Sequence, residues 1–134
     1  MPAACTYDYA VVRVVPRVER GEFVNVGVIV SCAAQNFLRA HFELDETRLL
    51  ALDASVDLAG IRAALAALPL VCEGGDAAGA LGRLSTRERF HWLVAPRSTS
   101  IQTSAVHTGQ CSDLEVEAER LLDRMVRTRQ PRSV

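Results

Sequence analysis

Two runs of β-branched and aromatic residues separated by a short connection constrain this chain more than any other feature. Tyr7 to Val15 (YDYAVVRVV) reads as a strand apolar on both faces. Pro16, which has no amide hydrogen to donate, interrupts it, and Gly21 closes the loop Pro16-Arg17-Val18-Glu19-Arg20-Gly21. A second strand is predicted from about Phe23 to Cys32. There Val24, Val26, Val28, Val30 and Cys32 alternate and call for one buried face, while Phe23, Asn25, Gly27, Ile29 and Ser31 take the other. Phe37 to Leu44 alternates again after a short turn. Connections this short imply an antiparallel meander in the order 1-2-3.

After the sheet the period changes. Asp45 to Leu52 can form a short helix, and Leu58, Ile61, Leu65 and Leu68 mark the apolar face of a longer one over Asp57–Leu68. Ser55 or Asp57 can cap it, and Pro69 is expected to limit it. Glycines 74, 75, 79 and 82 mark a connection, Ser85 to Leu93 contains a helical turn, and Ser98 to Val106 is placed as a fourth strand. The last helix opens on Ser112-Asp113-Leu114-Glu115, a capping-box spacing, with an apolar stripe of Leu114, Ala118, Leu121, Leu122 and Met125. Its early glutamates (115, 117, 119) and late arginines (120, 124, 127) match the helix dipole. The expected fold is α+β: an antiparallel sheet of the 1-2-3 meander plus a fourth strand, packed with two main helices. It forms one domain over 1–134, with an ordered core of about 6–127 and a frayed tail over 128–134.

Composition narrows the function classes. The 15 basic and 16 acidic residues give a net charge of −1, which argues against nucleic-acid binding. All the basic residues are arginine, so no lysine can serve as a Schiff-base nucleophile or a phosphate-loop ligand. Four dispersed cysteines (5, 32, 72, 111) and three isolated histidines (41, 91, 107) offer no zinc spacing, so no metal is expected. No cofactor motif appears, nor a GxSxG elbow or paired carboxylates. No apolar run approaches the ~20 residues of a membrane span and no secretion signal is seen, so a cytoplasmic location is expected.

Two regions can carry chemistry. The hairpin connection gathers Arg13, Arg17, Glu19, Arg20, Glu22 and Asn25, which could bind a carboxylate, a phosphate or a partner chain, or could be a solvated turn of weak pairs. Asn25 stands out because a strand-interior asparagine must satisfy its amide if buried. The second region, Ala95 to Gly109, offers Arg97, Gln102 and His107 among hydroxyls. It could hold an oxyanion with His107 as acid or base, or form an edge strand with its hydroxyls outward.

Tyr7 to Pro16 with Arg20 to Val28, and later Glu88 to Ser98, Ile101 to Ser104 and Val106 to Gly109, resemble the two signatures of a bacterial family, domain-of-unknown-function family 3037. The resemblance runs from about residue 7 to 126, with one departure: the family pattern has proline where this chain has Ala105, which would loosen the strand end near His107. It implies no activity. It places weight on Arg13, Arg20, Gly21, Glu22, Asn25, Gly27, Arg97, Gln102 and His107, and it implies a partner, since such proteins are often encoded beside a HipA-type, kinase-like protein. The expected function is therefore a non-enzymatic interaction or regulatory module, through self-association or a co-encoded, kinase-like partner. No hydrolase, kinase or nuclease turnover is expected of it alone. The alternative is a small-anion- or phosphate-binding protein or enzyme with an Arg/His site. The hypothetical binding residues are Arg13, Arg20, Glu22, Asn25, Arg97, Gln102 and His107.

Overall fold

The computed structural model describes residues 4–97 and 99–128. Three long strands form the expected meander: β1 (Cys5–Val14), β2 (Val24–Cys32) and β3 (Phe37–Phe42). Two short helices and a long one follow as α1 (Glu46–Leu52), α2 (Leu58–Glu73) and α3 (Thr86–Leu93), of which α2 is the long one. The chain returns to the sheet as β4 (Ile101–Thr103) and β5 (His107–Cys111) and ends in α4 (Leu114–Met125). All pairings are antiparallel, in the order β3-β2-β1-β4, with β5 pairing the other half of β1. The architecture is α+β with helices on both faces. Among the described residues no single helix is long and apolar enough to cross a membrane.

The apolar alternation of β2 serves two cores rather than one. From Asp8↔Ser31 to Val12↔Gly27 the β1–β2 register is regular, but Arg13 then pairs Asn25, leaving Val26 as the extra residue of a β-bulge. Inserting one residue reverses which side chains point to which face. Val24 and Val26 thus join Val12, Val14 and Ile29 against Ile61 and Leu65 of α2 and Phe90 and Leu93 of α3. Val28, Val30 and Cys32 lie on the opposite face with Tyr7, under Leu114, Ala118, Leu121 and Leu122 of α4. The single buried face expected from the alternation is corrected accordingly.

Other expectations shift for local reasons. The expected fourth strand comprises only Ile101–Thr103, and β5, which was not expected, follows at His107–Cys111. Ser104 causes the break, its hydroxyl accepting from the Val11 amide (2.9 Å) while its own amide donates to the Val11 carbonyl (2.8 Å). Pro69 does not stop α2, which continues to Glu73 and buries Val71 and Cys72 on its final turn. Proline forfeits one amide bond there, and the added apolar burial offsets the loss. The Ser85–Leu93 turn is a full helix with a reciprocal capping box between Ser85 and Glu88. At α4 the cap is Asp113, which accepts from the Val116 amide, and not Ser112. The expected frayed tail lies outside the described residues beyond Thr128, as does Ser98 at the start of the expected fourth strand.

Candidate functional site

β1 lies between β2 and β4, so Arg13 has Asn25 as its ladder partner on one side and Gln102 on the other. Ladder partners share a face and sit about 5 Å apart, so these side chains form a polar row across three strands. The bulge makes the row. In unbroken register Arg13 would pair Val26, and Asn25 would point to the opposite core.

The row lies on the α4 side of the sheet. Asn25 Nδ2 donates to the Met125 carbonyl oxygen at 3.0 Å, satisfying one of the open carbonyls at the end of α4. Arg48 does the same for the Val126 carbonyl at 3.1 Å. Because α4 packs over β2 and β3, Arg13 remains half-buried beyond its edge, its guanidinium 4.0 Å from the Phe23 ring centroid. Gln102 Nε2 donates to the Thr99 carbonyl at 2.9 Å. Four buried side-chain atoms lack a hydrogen-bond partner among the described residues, and two of them, Arg13 Nε and Asn25 Oδ1, belong to this row. Leaving such an atom unpaired costs ~1–3 kcal/mol, a cost that an occupant offering both an acceptor and a donor would recover once the two half-buried side chains turn outward to meet it.

The remaining sequence-derived candidates lie elsewhere. His107 pairs Tyr9, four residues along β1 from Arg13 and hence ~13 Å away at strand rise, where it stacks on the Tyr9 ring at 5.3 Å and is exposed. Arg97 is engaged at the end of α3, donating to the Leu93 and Trp92 carbonyls at 3.1 and 2.6 Å and stacking 4.3 Å from the Trp92 ring. Arg20 and Glu22 form an ion pair with each other, which holds the Glu22 carboxyl below its usual range.

That hairpin end borders two adjoining cavities of about 280 and 450 Å³ that share Pro16, Arg17 and Asp53. The larger also reaches Ser100 and Ile101, so the two signature regions meet there too. Its polar groups answer one another: Arg17 lies 3.6 Å from Asp53, Asp53 accepts from Ser55, and Asp57 accepts from the Gly60 amide. That leaves little for a ligand to satisfy.

One polar cluster escaped the sequence reading. Glu117, grouped there with Glu115 and Glu119 as a match to the helix dipole, is 7% exposed and accepts from the Tyr7 hydroxyl and from Arg120 Nε and Nη2 at 2.6 and 2.8 Å. Chiefly Arg120, against the opposing effect of burial, holds its carboxyl down at about 2. The Tyr7 ring lies across Gly109, where a Cβ would come within 2.8 Å of the hydroxyl oxygen. Glu117 sits between Leu114, Ala118 and Leu121 on the apolar stripe, and a charge there is the signal that could have exposed the cluster.

The fold is thus an antiparallel α+β domain in which two of the four unpaired buried polar atoms among the described residues, Arg13 Nε and Asn25 Oδ1, share one row on the α4 face. The chain belongs to the family described as Protein of unknown function (DUF3037), whose model matches residues 9–126 and so takes in all of α4 and both signatures except Tyr7 and Asp8. No match is found among curated proteins or among solved structures.

Proposed function

We propose that this chain is a non-enzymatic binding module that docks an acidic, extended segment of a partner protein on the row Arg13–Asn25–Gln102. The observation that carries the reading is the pairing of two buried, unpaired atoms on adjacent strands, the donor Arg13 Nε and the acceptor Asn25 Oδ1, in side chains that are themselves only half-buried. Side-chain rotation that brings both atoms to the surface lets a peptide answer them at once: a carboxylate for the arginine and a backbone N–H for the asparagine. Phe23, 44% exposed beside Arg13, adds apolar contact at the rim.

A photo-crosslinking residue in place of Gln102, introduced in the native host, identifies what sits on the row. A kinase-like protein and a second copy of this chain are the first partners to test. With the purified pair, Arg13→Ala and Asn25→Ala should each weaken binding about tenfold or more, while Arg62→Ala, remote on α2, should leave it unchanged. Equal binding by all three variants would move the docking surface elsewhere. A melting temperature raised by inorganic phosphate in the wild type but not in Arg13→Ala, with no crosslinked protein, would make this a small-anion site instead.

A further inference from the structure

Cys5, which opens β1, and Cys111, which closes β5, are Cα partners in the antiparallel ladder. Their sulfurs are 3.7 Å apart. Antiparallel partners have Cα atoms ~4.5–5.5 Å apart, inside the ~4.4–6.8 Å range that a disulfide spans. Small side-chain rotations suffice to bring the sulfurs to the ~2.0 Å of a bond. Both cysteines are free and half-buried, whereas Cys32 and Cys72 are buried. Cys111 also lines a cavity of about 380 Å³ with Ser112, Asp113, Glu117 and Arg120, which gives a small reactant an approach to its sulfur.

We infer that Cys5 and Cys111 form a reversible oxidative modification site, closed to a cross-strand disulfide by a small-molecule disulfide such as oxidised glutathione. In the first step Cys111, losing its proton to solvent, attacks one glutathione sulfur. The glutathione S–S bond breaks, a glutathione thiolate leaves, and a mixed disulfide forms. Cys5, losing its proton to solvent, then attacks Cys111 Sγ and expels the second glutathione thiolate. The two cysteines lose two electrons and two protons, and one oxidised glutathione becomes two reduced molecules. Burial, with the Cys5 thiol beside it, pushes the Cys111 thiol up to about 11, so little of it is thiolate near neutral pH and closure quickens as the pH rises. The bond would fasten the start of β1 to the residue two before the α4 cap, Asp113. It stands independently of the docking row.

The test uses the full chain equilibrated in defined mixtures of reduced and oxidised glutathione, then denatured, alkylated and mapped by mass spectrometry. The expected product is a monomer lighter by two hydrogens, with Cys5 and Cys111 joined, Cys32 and Cys72 alkylated, and a melting temperature higher by about 10 °C. Cys5→Ser and Cys111→Ser should each abolish both the link and the shift. A link through Cys32 or Cys72, a bond between two chains, or a lasting glutathione adduct without the internal bond would overturn the proposal. The wild-type map decides the matter even if a serine variant folds poorly.

Discussion

Gly27 sets how closely β3 can approach β2. It pairs Phe42, and a Cβ there would meet the Phe42 ring and fall 2.5 Å from the His41 carbonyl oxygen. The ring could turn, but the carbonyl belongs to the ladder and cannot move alone. Gly27→Ala should therefore cost about 2 kcal/mol and Gly27→Val about 3, read as a lower urea midpoint with unchanged slope. An unaltered midpoint for Gly27→Val would mean the strand pair has slack. At this scale the sequence was partly legible: glycine inside a valine-rich strand signals a close approach, and asparagine inside a strand signals a partner. The partner itself, the Met125 carbonyl, is one hundred positions away along the chain and leaves no local trace.

The spacing Ser-x-x-Glu occurs twice, at Ser85–Glu88 and at Ser112–Glu115, and only the first becomes a reciprocal box. The difference comes from what precedes each helix. Pairing with Cys5 keeps Cys111 in the strand, the chain bends at Ser112, and Asp113 (φ −138°, ψ 111°) then takes the cap. Ser85→Ala and Asp113→Ala should thus each destabilise by about 1 kcal/mol, while Ser112→Ala stays within about 0.5 kcal/mol. Urea titration of the three variants checks this, and a larger loss for Ser112→Ala than for Asp113→Ala would contradict it. Helix existence was readable from the 3.6 period, but the ends depended on neighbours in space. The continuation of α2 through Pro69 is the same lesson, since burial of Val71 and Cys72 outweighs one lost amide bond. β5 was unreadable because His107, Thr108 and Gln110 are exposed and carry no apolar period.

Across the whole molecule, β2 is buried on both faces, and the bulge at Val26 decides which signature residues meet. A valine at 24, 26, 28 and 30 looks the same whichever core it enters, so the alternation could show the strand but not the change of face. Besides its leucines and the bonds from Asn25 and Arg48 to its last carbonyls, the α4 layer is held down by the Tyr7–Glu117–Arg120 cluster around the buried Glu117 carboxylate, and this gives stability a pH dependence of known sign. The carboxyls of Glu22, Glu43, Asp53, Glu88 and Glu117 are all held low, but Glu117 alone among them is buried, so solvent screens the others. Its folded value of about 2 lies below the ~4.3 of an unfolded glutamate. The unfolded chain therefore binds the proton first as the pH falls, and the contribution of Glu117 is complete above ~4.3 and lost as the pH approaches 2. With Arg120 half-exposed and partly screened, that contribution is about 2 kcal/mol. Between pH 6 and pH 2, wild-type stability measured by urea titration should fall by about 2 kcal/mol more than that of Glu117→Gln, which starts lower at neutral pH and loses less. Parallel acid limbs in the two proteins would place the acid sensitivity in the surface ion pairs and not under α4.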